Sequence, residues 1–369
     1  FFLVKFYFTH TSTSDRERMA TTTEAPSGTK PSVTDQDTSA VYDRQIRLWG
    51  ADAQSKLSSA TVLYIHITGV SSEILKNLVL AGVQPAICDG RPYPDTIINT
   101  PTSLLPHSER HPTEPSSTSS PSKKQKQTVA DAIKPHVLDL NPFLSNLPTE
   151  DRPLSALPDT YFGQFDVVVA SQLPPDQISR ISSATTKNGG QFFLVDTFGT
   201  RGVAVLDLGK DHTFRREVGR DKLTPAQKAT AYAPASDIMN VSLGDCTGRW
   251  DKVAPLEWAA YRTILAFVET KKQWPREDVP AFRKFAREYL VENSNGGAAL
   301  PFDYLGDDDA LEALANMYEY APVCAVLGGV IGNEIIKALS GKGEPANNVL
   351  LFDGEDGGCR SFLVKKKET

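Results

Sequence analysis

Arg44 and Arg47 stand three residues apart in Tyr42-Asp43-Arg44-Gln45-Ile46-Arg47-Leu48-Trp49-Gly50. On a helix that spacing puts both guanidinium groups on one face. A planar fork on an anchored helix suits paired phosphate oxygens, and Ile46, Leu48 and Trp49 are the expected anchors. A basic face with ordinary ion pairing is the alternative for this segment taken alone. A second chemistry-bearing stretch is His66-Ile67-Thr68-Gly69-Val70-Ser71-Ser72-Glu73. It follows a short apolar run, where nucleotide-binding folds place a phosphate loop because helix N–H groups and the helix dipole favour an anion there. Such a loop wants several glycines, and this one has Gly69 alone. His66 and Ser71 would crowd a phosphate, and a non-glycine residue at positive φ costs about 1–2 kcal/mol. Ser71 and Ser72 could still cap the helix and bind phosphate; the competing reading keeps the scaffold and loses the pocket. Asp89 comes about 20 residues later, where an acid would hold a ribose hydroxyl. It is equally a turn residue before Gly90, and the missing glycines favour that reading.

Four cysteines, Cys88, Cys246, Cys324 and Cys359, are far apart and form no C-x-x-C. Neither a disulfide framework nor a zinc knuckle is suggested, and a reducing compartment fits best. Cys324 sits in APVCAVLGG without the electropositive, accessible setting of a nucleophilic thiol, so core packing is expected. Gly328, Gly329 and Gly332 allow another helix to approach closely.

The elements that must position these residues follow from periodicity. TVLYIH (61–66), a helix over 71–83 and QPAICDG (84–90) form a βαβ unit, parallel and right-handed. A tight turn is expected at Gly69. DVVVA (166–170), a helix over 176–189 and QFFLVD (191–196) repeat the rhythm, and RGVAVLDL (201–208) adds another strand. Helices are expected over 128–141, weakened by Pro135, and over 256–269, 279–291, 310–318 and 322–339. NVLLFDG (348–354) and CRSFLV (359–364) read as a terminal hairpin. The fold class is α/β, a doubly wound, mostly parallel Rossmann-like sheet with C-terminal helices and that hairpin. Residues 1–40 are expected to be a disordered extension rich in Ser, Thr, Pro and Gly, 41–364 one folded domain, and 365–369 a charged tail. Residues 1–18 precede the first methionine, Met19. They could be a targeting piece, though translated upstream sequence is the favoured alternative. A Pro/Ser/Thr-rich insertion at 91–125 is expected to stay out of the core, and 209–320 is a divergent insertion.

The chain has 369 residues, 39 Lys+Arg against 45 Asp+Glu and a net charge of −6, with 40% hydrophobic and 23% charged residues. That balance argues against a fibrous or wholly disordered chain and against a nucleic-acid binder. No uninterrupted apolar run reaches a membrane span; Ala321 to Leu339 reads as a buried helix. Neither nucleic acid nor membrane is therefore an expected partner.

YDRQIRLWG (42–50), EILKNLVLAGV (73–83), DTFG (196–199) before RGVAVLDLG, and APVCAVLGGVIGNEIIKALSGKGEPANNVLLFDG (321–354) together resemble the smaller, regulatory subunit of the heterodimeric SUMO-activating enzyme, in the wider ThiF/ubiquitin-activating group. The resemblance covers most of 41–364 and is loose at 91–125 and 209–320. It implies a pseudo-adenylation domain that supports ATP-dependent activation of SUMO. ATP, Mg and the thioester-forming cysteine are then held by the larger catalytic subunit, with none expected on this chain alone. Arg44 matches the arginine that reaches across to the partner's ATP. Arg47, Trp49, Cys324, Gly328 and Gly329 are expected at or near the subunit contact, and Gly69, Ser71, Ser72 and Asp89 form a degenerate pseudo-site. After DVVVA, Ala170-Ser171-Gln172 stand where an active member would supply an acid. The nucleus is the expected location, with the cytoplasm as an alternative. Rival readings are a self-sufficient homodimeric ThiF-type adenylyltransferase, which wants the glycines, the acid and often paired C-x-x-C motifs, and a non-catalytic scaffold that keeps the fold.

Overall fold

Runs such as Thr61–Ile65 and Val167–Ala170 are apolar at nearly every position, so both faces of their strands must be covered. The computed structural model describes residues 40–96, 100–105, 127–216, 218, 223–230, 232–246, 253–293 and 307–364. The extension over 1–39, the middle of the insertion at 106–126 and the tail at 365–369 lie outside the described residues.

The strands are β1 (Thr61–Ile65), β2 (Gln84–Cys88), β3 (Thr149–Glu150), β4 (Val167–Ala170), β5 (Gln191–Phe198), β6 (Arg201–Asp207), β7 (Thr213–Phe214), β8 (Gln227–Lys228), β9 (Val349–Asp353) and β10 (Gly358–Phe362). The helices are α1 (Asp43–Trp49), α2 (Ala51–Ser59), α3 (Gly69–Leu80), α4 (Val129–Leu140), α5 (Pro175–Lys187), α6 (Ala235–Asn240), α7 (Leu256–Lys271), α8 (Val279–Asn293), α9 (Asp308–Asn316) and α10 (Ala321–Ser340). An eight-stranded sheet runs in the order β10-β9-β6-β5-β4-β1-β2-β3. From β3 to β5 all neighbours are parallel, while β5, β6, β9 and β10 pair antiparallel. The expected hairpin is therefore the edge of the main sheet. Register sets Leu63 beside Ala86 and Val168.

Successive β1 side chains point to opposite faces. Leu63 and Ile65 join a core with Phe192, Trp258, Tyr261 and Phe282, whereas Val62 and Tyr64 join one with Phe193, Ile74, Leu75 and Ile331. The stretch expected as a divergent insertion, 209–320, thus supplies much of one core face through α7, α8 and α9. Helix α4 runs through Pro135 without ending, and Thr128 caps it by accepting from Asp131 N. The insertion expected to avoid the core is corrected at its start, since Thr102, Leu104 and Leu105 are buried. Helix α10 is long and apolar enough to cross a membrane, but it lies along α3 with Val323, Leu327, Ile331 and Ile335 in the core.

Candidate functional site

Helix α1 buries no residue of its own, so its position depends on its flanks. Tyr42 is buried, its hydroxyl accepts from Asn141 Nδ2 at 2.8 Å, and its ring meets Phe143. Gln45 Nε2 donates to the Leu80 carbonyl at 3.2 Å. The Trp49 indole N–H donates to Gln54 Oε1 at 3.0 Å, and Gln54 Nε2 donates to the Ala81 carbonyl at 2.8 Å. Of the expected anchors, Trp49 holds, packed against the core and bonded to Gln54, and Leu48 is corrected. Trp49 and Ile46 are half-buried, Leu48 is 72% exposed, and Tyr42 and Gln45 add contacts of their own. Arg47 is closed by Asp43, its Nη2 lying 2.9 Å from Oδ2. Arg44 is exposed and makes no hydrogen bond or ion pair among the described residues.

The partners of α1 on α3 are at that helix's C-terminal end. Helix α3 has 12 residues, about 18 Å at the usual rise. Its N-terminal end forms the phosphate corner at the C-terminal edge of the parallel strands, the far end of the helix from the α1 contacts.

The corner departs from the expected turn. Gly69 is the first helical residue, and the strained position is His66, at φ +59°. Thr68 rather than either serine is the N-cap. Its hydroxyl accepts from Ser71 N at 3.3 Å while Thr68 N donates to Ser71 Oγ at 2.8 Å, a reciprocal capping box. Ser72 Oγ donates to the Gly69 carbonyl at 2.7 Å. Both serines are buried and their hydroxyls are spent inside the chain. Gly69 is required by close approach, because a Cβ there would lie 2.7 Å from Cys324 Sγ and 2.8 Å from Pro101 Cγ. The ordered start of the insertion therefore roofs the corner.

Asp89 is buried and holds the turn together. Ile67 N donates to its Oδ2 at 2.7 Å, and Arg91 grips both oxygens at 2.8 and 2.7 Å. Burial alone would raise this carboxyl, but the Arg91 bonds and charge hold it below its usual range. Arg91 also donates to the Ile67 carbonyl at 2.9 Å. Both Asp89 oxygens face this chain instead of a ribose. His66 Nδ1 lies 3.1 Å from the Ser171 carbonyl, and burial lowers the imidazole to about 4, so it is neutral near pH 7.

Two acids that the residue pattern did not single out complete the corner. Glu319 accepts from Gly69 N at 3.1 Å through Oε1 and at 2.9 Å through Oε2, and Thr197 Oγ1 donates to Oε1 at 3.1 Å. It is delivered there because Gly199 N donates to the Tyr318 carbonyl at 2.7 Å, pinning the segment before α10 to the end of β5. Burial raises the Glu319 carboxyl, opposed by the Gly69, Thr197 and Val70 bonds and the Arg91 charge. Asp196 accepts from Tyr261 Oη at 2.7 Å and from Gln172 N at 2.7 Å. Complete burial pushes it up to about 7 despite those bonds, with the Glu319 charge adding to the rise. A lone acid in Tyr-Glu-Tyr before an apolar helix was the available sign of Glu319, and DTFG that of Asp196.

Cys324 and Gly328, expected at the subunit contact, lie inside this chain. Burial pushes the Cys324 thiol up to about 12, and a Cβ on Gly328 would sit 2.6 Å from Glu73 Cβ. Gly329, one residue on, is exposed with nothing within 4 Å of such a Cβ. Cys88 and Cys246 are also buried and their thiols raised by burial, while Cys359 is exposed. No group of three or more His, Cys, Asp or Glu that could hold a metal occurs among the described residues.

A hollow beside the corner, at the end of β2 and bordered by His66, Cys88, Arg91 and Arg152, is about 240 Å³, below the usual range of about 300–1,000 Å³ for small-molecule pockets. A larger opening of about 1100 Å³, bordered by Trp49, Lys56, His212 and Lys342, lies at the opposite sheet edge, where β5 begins and β6 ends.

No family model matches the chain. It is similar to SUMO-activating enzyme subunit 1B-1 of Arabidopsis thaliana, 32% identical over 335 residues that cover 88% of this chain and 95% of the relative. It is also similar to SUMO-activating enzyme subunit 1 of Xenopus laevis, at 29% over 88% of this chain and 94% of that protein. The protein of that name from Homo sapiens is 28% identical over 87% of this chain and 94% of its own length.

Proposed function

Since the chain belongs to the SUMO-activating enzyme subunit 1 family, we propose that it acts as the regulatory half of a heterodimer whose larger subunit holds Mg-ATP and the thioester-forming cysteine, with Arg44 supplied in trans. The observation that carries this reading is the contrast between two ends of α3. At one end the chain's own phosphate corner is occupied by Glu319 and roofed by Pro101. At the other end of that helix, which is about 18 Å long, a free, exposed guanidinium stands on the clamped α1.

In the reaction the SUMO C-terminal carboxylate attacks the α-phosphate and negative charge grows on the departing pyrophosphate. A planar guanidinium donating two bonds to phosphate oxygens stabilises that charge more in the transition state than in the ground state. Clamping α1 through Tyr42, Gln45 and Trp49 means that little ordering remains to be done when Arg44 engages. Arg47, neutralised by Asp43, keeps α1 in register and serves the subunit contact with Trp49 and Gly329.

The self-sufficient homodimeric alternative would need a vacant corner and free Asp89 oxygens, and both are taken. The nuclear location remains part of the proposal and rests on the family and on the basic runs at 123–126 and 365–367. The test is ATP–pyrophosphate exchange with SUMO in the reconstituted heterodimer. Arg44→Ala is expected to lower exchange by about 10³-fold, the scale of losing one cationic transition-state partner, while Arg47→Ala changes it little and neither dissolves the complex. Unchanged exchange in the Arg44→Ala complex would sink the assignment, as would exchange by this chain without its partner.

A further inference from the structure

In a nucleotide-binding βαβ unit the first N–H groups of the helix after β1 would meet phosphate oxygens. In this chain they meet a carboxylate. Glu319 takes the Gly69 N–H with both oxygens, at 3.1 and 2.9 Å, and receives the Thr197 hydroxyl at 3.1 Å on one of them. Its charge also faces Arg91. Backbone N–H and hydroxyl are donors that would suit a phosphate, and the Arg91 guanidinium, bonded to Asp89, adds only its positive field. The cradle is tight, since Cys324 Sγ and Pro101 Cγ leave no room for a Cβ on Gly69. Around it, Asp89 and Arg91 saturate one another, and the Ser71 and Ser72 hydroxyls are spent on Thr68 and Gly69. Every donor of the corner is thus engaged within the chain.

We propose that Glu319 is a built-in occupant of the phosphate corner, a carboxylate standing where a phosphate group would bind, and that removing it uncovers a site for inorganic phosphate. The corner has not merely lost its glycines. It retains the donors of an anion site and holds them closed with its own anion. That makes the order of this region independent of nucleotide, because the helix N-terminus is neutralised at all ligand concentrations. The segment that delivers Glu319 runs directly into α10, so the same contact fixes where that helix starts. The inference deepens the pseudo-site reading but does not depend on the role of Arg44, since the full chain can be tested with no SUMO, ATP or partner present.

The experiment follows the Gly69 amide by NMR in full-length chain labelled with ¹⁵N-glycine, titrated with inorganic phosphate against chloride at matched ionic strength. The wild-type amide is expected not to respond. In Glu319→Ala the amide is expected to move on mutation and then to titrate saturably, with phosphate affinity at least tenfold above the wild-type limit. Glu319→Gln keeps the side chain's bulk and an acceptor for the Gly69 N–H, so it is expected to stay closed to phosphate; if the alanine chain does not fold, Glu319→Ser decides the matter, and a saturable phosphate response is expected there. A wild-type Gly69 amide that already titrates with phosphate would overturn the proposal. So would a folded alanine or serine variant in which phosphate has no more effect than chloride.

Discussion

Gly328 and Gly329 are neighbours on α10, and alanine should act on them with opposite sign. In a helix interior, alanine in place of glycine is worth about 1 kcal/mol through reduced chain entropy. At Gly329 nothing opposes that gain, because no atom lies within 4 Å of the new Cβ. At Gly328 the new Cβ would lie 2.6 Å from Glu73 Cβ, 3.3 Å from the Val70 carbonyl oxygen and 3.4 Å from Ile74 N. None of these atoms can rotate away, so α10 must lift from α3, an overpacking cost toward the upper end of the ~1–3 kcal/mol range. Less the same propensity gain, Gly328→Ala should destabilise by about 2 kcal/mol. The two variants should therefore differ by about 3 kcal/mol, on the order of a hundredfold in the folding equilibrium. Urea unfolding of the full chain reads this as midpoints displaced in opposite directions at unchanged slope. Equal stabilisation by both alanines would refute the close α3–α10 approach. Repeating the pair in the heterodimer asks a separate question: a partner surface over Gly329 should cancel its gain there.

Arg91→Ala should leave Asp89 buried without its partner and cost about 3 kcal/mol, the scale for breaking a buried ion pair. Because Arg91 holds Asp89 below its ordinary range, that contribution is present above the unfolded-state value and is lost as pH falls through the folded one. The stability gap between parent and variant should accordingly be full near pH 7 and narrow as pH falls through that folded-state value, as urea midpoints across pH would show. Asp196 behaves in the opposite sense. With its carboxyl pushed up to about 7, the folded chain keeps a proton that the unfolded chain releases, so stability declines from about pH 4 to about pH 7. Asp196→Asn can still accept from Gln172 N and donate to Tyr261, and should flatten the loss in urea midpoint between pH 5 and pH 8. Among the cysteines, exposed Cys359 should be alkylated first by iodoacetamide at pH 8 and Cys324 only on unfolding, as peptide mapping would show. No SUMO thioester should form on this chain; a thiol-sensitive adduct would contradict the inert setting of Cys324.

Much of the fold was legible because it depends on short-range pattern. Val62, Tyr64 and their neighbours form a run too apolar for one solvated face, and the helices after β1 and β4 show apolar residues at helical spacing. The helices over 256–271 and 279–293 were visible in the same way. Their contribution of Trp258, Tyr261 and Phe282 to the central core was not, because periodicity says that a face is buried and not against what. Leu48 shows the same limit in reverse: an apolar residue in a distinctive motif was read as an anchor, yet polar contacts from Gln45 and Gln54 hold the helix. The degenerate turn could be read from sterics at His66, which the structure places at positive φ.

By itself, the order of residues determined the α/β class, the strained non-glycine turn, the separation of the cysteines and the candidate arginine helix. These follow from backbone sterics, hydrophobic period and side-chain chemistry, which act over a few residues. Only the tertiary structure decided which arginine is free, which glycine is packed and what fills the phosphate corner. Glu319 reaches Gly69 across 250 positions of sequence, and Asp43 takes Arg47 while leaving Arg44 exposed. Such outcomes depend on where distant segments converge and which donors they satisfy first, and no local pattern carries that information.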